Sequence, residues 1–310
     1  MWGFFVTVAT QLFFMKAEWS GKTKGRNFGQ KFLFRVLKKH DSRRLYPLLR
    51  LVTPFYILFN PKAARGSYSF YRRAMGFDKL KSLRYMRRNF LTFGKVILDK
   101  FAIWAGNSRQ FDISFENEEL FTELTRSDKG FIVASAHIGN FEMAATTMQY
   151  CRKPINIIFW GNESETIINQ RLASFNKSDF HVNIIRIGND LSYIFDIKNA
   201  LSRGEIVITN CDRLAFGQRK TTVRFFGKEV SFPTGIFHIA VTLGVPMLFI
   251  STLKGIKQCY NGFVAPLQSL ETGNRNEKTD HLVRQYARLL EEKVKEEPLQ
   301  WFNLYDFMKV

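Results

Sequence analysis

Short runs of β-branched and aromatic residues alternate with segments of helical periodicity through the last two thirds of the chain, and this alternation restricts the possible folds more than any other feature. The predicted strands are 131–136 (FIVASA), 155–160 (INIIFW), 182–187 (VNIIRI), 205–209 (EIVIT), 221–226 (TTVRFF) and 246–252 (PMLFIST). The predicted helices are 141–150, 165–176, 191–201, 235–243 and 280–297. Strands joined by helices in this way predict an α/β fold with a mostly parallel central sheet flanked by helices.

The basic residues are unevenly distributed along the chain. The 310 residues include 46 Lys and Arg against 27 Asp and Glu, a net charge of +19. Residues 1–110 hold 23 basic and 4 acidic side chains, whereas residues 111–310 hold 23 of each. The whole excess of positive charge therefore lies in the first third. Such asymmetry predicts an N-terminal surface that binds polyanions, either anionic lipid or nucleic acid.

The secondary-structure pattern of this first third also differs from the rest. Apolar residues recur at spacings of three and four, with cations between them, in 31–39, 64–75 and 79–103. We therefore divide the chain into a basic helical region, residues 1–110, and an α/β region, residues 111–310. We expect the basic region to pack on the sheet. A hydrophobic content of 45% excludes disorder of the chain as a whole.

Two apolar stretches, residues 1–15 and 45–59, lie in the basic region. As a helix each would be about 22 Å long, shorter than the ~30 Å hydrocarbon core of a bilayer. Residues 1–15 also lack the basic start and the cleavage site of a secretory signal, and Met15 is a second candidate initiator. We expect both stretches to lie in a membrane interface, and the alternative is a helix buried in the core.

The segment SAHIGNFE, residues 135–142, follows a predicted strand and begins a predicted helix. It therefore lies at the carboxyl end of a strand, where α/β sheets place their functional sites. Within one helix His137 and Glu142 would be about 140° apart and could not meet. They can approach if His137 lies in the loop and Glu142 in the first helical turn, and Gly139 permits the sharp backbone path that this requires.

A histidine paired with a carboxylate can serve as a general base. The carboxylate fixes the tautomer of the imidazole and stabilises the imidazolium that forms when the ring accepts a proton. We expect backbone N–H groups at the start of the following helix to stabilise a developing oxyanion. The alternative is a histidine that caps the helix or packs in the core.

AHIGNFE resembles the HX4(D/E) motif of the lysophospholipid acyltransferase superfamily. More narrowly, the chain resembles the lipid A late acyltransferases, the lauroyl- and myristoyltransferases of Gram-negative bacteria. The similarity covers nearly the whole chain and is carried by WSGKTKGRNFG (19–29), RRNFLTFGKVILDKFAIWAG (87–106), SAHIGNFE (135–142), the segment around Asp212 and Arg213, and QWFNLYDF (300–307). The spanning N-terminal helix that is common in that family is not evident here.

The resemblance implies an acyltransferase domain at residues 111–310 and a basic, membrane-associating region at 1–110. His137 would deprotonate a hydroxyl or amine of a lysolipid or lipid A-type acceptor, and Glu142 would support His137. The acceptor would attack the thioester of an acyl-carrier protein or acyl-CoA directly, so no cofactor and no metal are expected. The implied location is the cytoplasmic face of the inner membrane, with peripheral or monotopic attachment to the anionic membrane surface.

Four further residues are predicted to bind substrate. Arg171 and Asp212 match an arginine and an acidic residue that the resemblance implies at these positions. Asn140 lies within the motif, and Arg213 follows Asp212. Arg213 also begins a basic run, completed by Arg219, Lys220, Arg224 and Lys228. These cations would hold a phosphate of the acceptor or of the donor's phosphopantetheine arm, or they simply alternate along an exposed hairpin.

Two other functions remain as alternatives. The basic region would suit a nucleic-acid-binding protein, although we predict no nucleic-acid partner. The same catalytic groups would also suit a thioester hydrolase in which water replaces the acceptor. Neither a Walker loop nor a G-x-G-x-x-G motif after a strand is present in the sequence, so ATP or NAD chemistry is not predicted.

Overall fold

The computed structural model describes residues 26–141, 143–144, 151–160, 181–187, 192–214, 218–305 and 307. The apolar stretch 1–15, with Met15, and the predicted helix 165–176 lie outside the described residues. Nine strands are present in the described part, namely β1 Asp112–Glu116, β2 Phe131–Ser135, β3 Ile155–Trp160, β4 Val182–Ile187, β5 Ile206–Asn210, β6 Lys220–Phe225, β7 Lys228–Pro233, β8 Met247–Lys254 and β9 Cys259–Leu267.

Seven of these strands form one sheet in the order β1-β9-β8-β2-β5-β3-β4. Every neighbouring pair is parallel except β8 and β9, which are antiparallel. Strand β2 is in the middle of the sheet, and all five of its residues are buried. A continuous apolar run is the pattern expected of a parallel strand covered on both faces. The predicted α/β fold with a mostly parallel sheet is confirmed.

The predicted strand 221–226 is not part of this sheet. It forms β6, which pairs antiparallel with β7 in a separate two-stranded hairpin. In β6 the side chains alternate: Lys220 and Arg224 are exposed, whereas Val223 and Phe225 are buried. Alternation with period two is typical of an antiparallel strand with one solvated face, and the exposed hairpin left open for these cations is the one observed. Strands β1 and β9 were not predicted.

Eight helices surround the sheet among the described residues, namely α1 Arg26–Lys39, α2 Tyr46–Phe59, α3 Pro61–Arg73, α4 Lys79–Trp104, α5 Glu118–Arg126, α6 Ser192–Ser202, α7 Gly235–Leu243 and α8 Arg275–Glu296. Helix α8 begins before the predicted residue 280, because Asn274 and Glu277 form a capping box there. No helix in the described part of the chain is long and apolar enough to cross a membrane.

The N-terminal region is helical from Arg26 on, as predicted, and the longest helix in its described part is α4. Helices α2 and α4 approach closely at Gly94, where an added Cβ would lie 3.0 Å from Leu49. Further along, the rings of Tyr56 and Phe90 meet edge to face with their centroids 5.4 Å apart. Helix α3 packs beside α4, and the Ser67 hydroxyl donates a hydrogen bond to Asn89.

A buried carboxylate joins these helices to the sheet. Asp99 of α4 is 0% exposed and accepts hydrogen bonds from the hydroxyl groups of Ser42, Tyr46 and Tyr260 at 2.5–2.6 Å. The ammonium of Lys254, at the end of β8, lies 2.7 Å from the same carboxylate. Four donors compensate the cost of removing this charge from water. The network therefore attaches the basic region to strands β8 and β9.

We predict that Asp99→Leu lowers the free energy of unfolding by about 3–5 kcal/mol, because it leaves Lys254 buried without its counter-ion. Asp99→Leu combined with Lys254→Met should recover part of this loss. Denaturation by urea measures both. Glu292→Ala is the matched control, since it breaks an exposed pair with Arg288 and should cost no more than about 0.5 kcal/mol. Equal costs for the buried and exposed pairs would contradict the prediction.

Candidate active site

The site forms where two neighbouring parallel strands end. Strands β2 and β5 are paired up to Ser135 and Asn210, which lie opposite each other. His137 and Asp212 each follow two residues later, so the register brings them together. The His137 Nδ1 is 2.7 Å from Asp212 Oδ1, and the backbone N–H of His137 donates to Asp212 Oδ2 at 3.0 Å. His137 lies in the loop after the strand, as predicted.

The carboxylate of Asp212 is enclosed by donors. Its side chain is 0% exposed, and Oδ2 also accepts a hydrogen bond of 3.0 Å from the indole N–H of Trp301. Burial by itself raises the pKa of Asp212, but the charges and hydrogen bonds of His137, Arg213 and Trp301 outweigh it and lower that pKa to about 2. The ionised carboxylate can only accept hydrogen bonds. His137 Nδ1 therefore carries the proton, and Nε2 is left as the basic nitrogen.

The surroundings of His137 favour the neutral form of its imidazole. Burial lowers the pKa of His137 below its ordinary 6.5, and the positive charges of Arg213 and Lys100 lower it further, while Asp212 opposes them. The side chain remains 31% exposed. A neutral, partly exposed imidazole with a fixed tautomer can accept a proton from a bound hydroxyl or amine.

The loop that carries His137 is held by the end of β8. Gly139 has φ +58°, and an added Cβ would lie 1.9 Å from the carbonyl oxygen of Thr252. The sharp path predicted for Gly139 is therefore confirmed. The N–H groups of Gly139 and Asn140 donate to the carbonyls of Gln300 and Thr252. The N–H of His137 is bonded to Asp212, so these three loop amides are engaged, and the oxyanion donors expected at the start of the following helix remain a prediction.

Polar side chains near the loop retain unused hydrogen-bonding capacity. Asn140 is 1% exposed, and neither polar atom of its amide has a hydrogen-bond partner among the described residues. The amide lies next to the Tyr260 hydroxyl but not in hydrogen-bonding geometry. Arg213 donates through Nη2 to the carbonyl of Phe302, and its buried Nε has no partner in the same part of the chain. Unpaired buried groups cost about 1–3 kcal/mol each, which a bound ligand could recover.

The structure brings together four of the six predicted site residues, His137, Asn140, Asp212 and Arg213. Glu142 and Arg171 lie outside the described residues, so their predicted roles remain predictions. Pairing of His137 with Asp212, 75 residues away, was not predicted, nor was Trp301. The sequence shows that His137 and Asp212 each follow an apolar strand. It does not show that these two strands, β2 and β5, are neighbours in the sheet.

Comparison with known families settles the class of the protein. The model of the family described as bacterial lipid A biosynthesis acyltransferases matches residues 78–309, about three quarters of the chain. The chain belongs to this family. The match begins at the first residue before α4 and includes both His137 and Asp212. A search of curated proteins finds no significant match.

Membership makes the protein an acyltransferase of lipid A biosynthesis type, which uses an acyl donor and a lipid acceptor. Members of the family are generally associated with membranes. No group of three or more His, Cys, Asp or Glu side chains suited to a metal ion occurs within the ranges that the structure describes.

We predict that the acyltransferase titrates at His137 with a pKa below 6.5, and that Arg213→Gln raises this pKa because it removes a neighbouring positive charge. NMR titration of the imidazole measures both values without any substrate. Arg284→Gln, which removes an exposed cation on α8, is the control and should leave the pKa unchanged. A wild-type pKa at or above 6.5, or no change in Arg213→Gln, would contradict the electrostatics described for the site.

Proposed function

We propose that the enzyme transfers a fatty acyl chain from the thioester of an acyl-carrier protein or acyl-CoA to a hydroxyl or amine of a lysolipid or lipid A-type acceptor, with His137 as the general base. The observation that carries the proposal is the pairing of His137 with the buried Asp212 at the ends of β2 and β5. The pair leaves Nε2 free to act. The thioester supplies the free energy of transfer, so the reaction needs no cofactor.

The reaction is a direct displacement. His137 Nε2 removes the proton from the acceptor hydroxyl as its oxygen attacks the thioester carbonyl. The carbon–sulfur bond of the resulting tetrahedral intermediate then breaks, and the imidazolium returns the proton to the leaving thiolate. Asp212 stabilises the imidazolium between these two steps. Its enclosed position suits this orienting role better than direct contact with substrate.

Arg213 and Asn140 are the groups we assign to substrate. The guanidinium of Arg213 has an unused donor beside the catalytic pair and would stabilise the oxyanion or hold a phosphate of either substrate. The Asn140 amide would complete its hydrogen bonds when substrate is bound. Glu142 and Arg171 keep the roles that the family motif implies, support of His137 and substrate binding.

We predict that His137→Ala lowers kcat for acyl transfer by about 10²–10⁴-fold, because the general base is lost, and that Asp212→Asn also lowers it strongly. The assay measures release of free thiol from acyl-carrier protein and from acyl-CoA, with and without lipid A-type acceptor. His281→Ala, on α8, is the histidine control and should retain activity. Full activity in His137→Ala would overturn the proposal, and thiol release at full rate without acceptor would favour a hydrolase.

The membrane-binding surface we propose is an exposed apolar stripe on α2. Leu51, Phe55, Leu58 and Phe59 are 52–71% exposed and follow the spacing of one helix face. The opposite face of α2 packs on α4. Thus the predicted stretch 45–59 is buried on one side and open on the other. Exposed cations accompany the stripe at Arg50, Lys62 and Arg65.

An anionic leaflet fits this combination. The apolar side chains would enter the interface, while each nearby cation contributes about 1 kcal/mol of attraction to anionic lipid. The aromatic residues of α3 and α4 are less suited to membrane binding, because Tyr71 and Phe90 are only 1% and 0% exposed and pack in the core. We propose that this surface attaches the basic region, residues 1–110, to the cytoplasmic face of the inner membrane, with no role for nucleic acid.

We predict that Phe55→Ser combined with Leu58→Ser lowers partitioning onto anionic phospholipid vesicles at least about tenfold, because two exposed apolar side chains no longer enter the interface. Co-sedimentation measures the partitioning. Ile256→Ser is the matched control, since Ile256 is 84% exposed but lies at the β8–β9 turn. Undiminished binding of the α2 variant, or displacement of the wild type from vesicles by duplex DNA, would contradict the assignment.

A further inference from the structure

Residues 298–305, which we call the C-terminal strap, lie between the N-terminal helices and the loop that carries His137. On the helix side, the Asn89 amide of α4 donates to the carbonyls of Leu299 and Trp301 at 2.9 and 3.1 Å. The Tyr71 hydroxyl of α3 donates to the carbonyl of Pro298 at 2.7 Å. Asn89 is 1% exposed, so these bonds are shielded from water and hold the strap in one position.

On its other side the strap is hydrogen-bonded to the loop that carries His137. The N–H of Phe302 donates to the carbonyl of His137 at 2.7 Å, and the N–H of Gly139 donates to the carbonyl of Gln300 at 2.9 Å. These bonds flank Trp301, which forms an antiparallel bridge with Ile138. The strap therefore fixes the backbone on both sides of Trp301 relative to His137.

The side chain of Trp301 is oriented by aromatic packing. It is 3% exposed, and the rings of Phe70, Phe225 and Phe307 surround it with centroids 4.9–5.6 Å away, each in an edge-to-face arrangement. Such contacts restrict the rotation of the indole. With the ring held in this way, the N–H points at Asp212 Oδ2, the oxygen that also accepts from the backbone of His137.

We propose that Trp301 is a positioning residue of the acyltransferase: its indole N–H holds Asp212 in the rotamer that orients His137, and so the C-terminal strap completes the active site. This inference rests on the proposed role of His137 as general base. Two donors on Oδ2 leave Oδ1 directed at the imidazole. The indole dipole also draws negative charge toward Oδ2, which keeps the imidazole a weaker base than Asp212 alone would make it.

The charged and titratable groups that face the pair are separate from Trp301. Among the described residues they are Arg213, Lys100, Cys211, Tyr286 and Tyr305. Trp301→Phe changes none of these groups and keeps an aromatic ring in the same packing. A change in the titration of His137 in this variant is therefore attributable to the missing N–H group.

The first experiment compares wild type, Trp301→Phe and Phe307→Leu. We expect Trp301→Phe to lower kcat about 10–100-fold, the range for loss of a hydrogen bond to a charged group, with KM for the thioester nearly unchanged. The acidic limb of the pH–rate profile and the His137 pKa measured by NMR should both move to higher pH. Phe307→Leu removes packing on the indole but keeps its N–H, so it should lower thermal stability without moving the pH profile.

A double-mutant cycle tests whether the indole acts through Asp212. In an Asp212→Asn background, Trp301→Phe should lower kcat less than about threefold, because the charge that the indole positions is already absent. If Trp301→Phe does not fold, benzothienylalanine at position 301 replaces the N–H with sulfur in a ring of nearly the same shape. Equal effects in the two backgrounds, or a loss of stability with no change in kcat or pH profile, would overturn the proposal.

Failure of the positioning role of Trp301 can be distinguished from failure of the proposed general-base mechanism. If His137→Ala retains full activity, the general-base mechanism fails, whatever Trp301 does. The NMR titration of His137 needs no substrate and still tests whether the indole controls the His137–Asp212 pair. An unchanged imidazole pKa in the sulfur analogue would refute the positioning role even if acyl transfer proceeds as proposed.

Discussion

The buried carboxylate of Asp212 is the group on which the arrangement of the site depends. A carboxylate removed from water must be surrounded by donors, because its desolvation otherwise costs several kcal/mol. Within the part of the chain that the structure describes, Asp212 obtains three: the ring and the backbone N–H of His137, and the indole of Trp301. They come from the end of β2 and from the C-terminal strap. Compensation of one charge thus brings together segments that are 75 and 89 residues from Asp212.

A second buried carboxylate, which likewise needs donors, attaches the basic region to the sheet. Asp99, also 0% exposed, collects donors from the turn before α2, from α2 itself and from strands β8 and β9. Gln300 of the strap in turn exchanges hydrogen bonds with the backbone N–H and carbonyl of Lys254. The two buried aspartates are therefore linked through β8 and the strap, so hydrogen bonds connect the helices that carry the proposed membrane surface to the loop that carries His137.

Features set by local sequence were predictable, and features set by strand order were not. The burial of β2, the loop position of His137 and the turn at Gly139 follow from neighbouring residues, and each is confirmed. The partner of His137 depends on β5 lying next to β2, which no periodicity reveals. The engagement of the Gly139 and Asn140 amides likewise depends on β8 and the strap. The strand predicted at 221–226 is present as β6, and its pairing with β7 matches the exposed hairpin that the sequence left open as an alternative.

The electrostatics of His137 balance two opposing needs of the general base that we propose. Asp212 stabilises the imidazolium of His137, which makes the ring a stronger base, whereas burial and the charges of Arg213 and Lys100 weaken it. A ring dominated by Asp212 would be protonated near neutral pH and could not accept a proton. A ring dominated by the cations would be a poor base. In the mechanism that we propose, the carboxylate fixes the tautomer that leaves Nε2 basic, while burial and the cations keep that nitrogen unprotonated so that it can accept a proton.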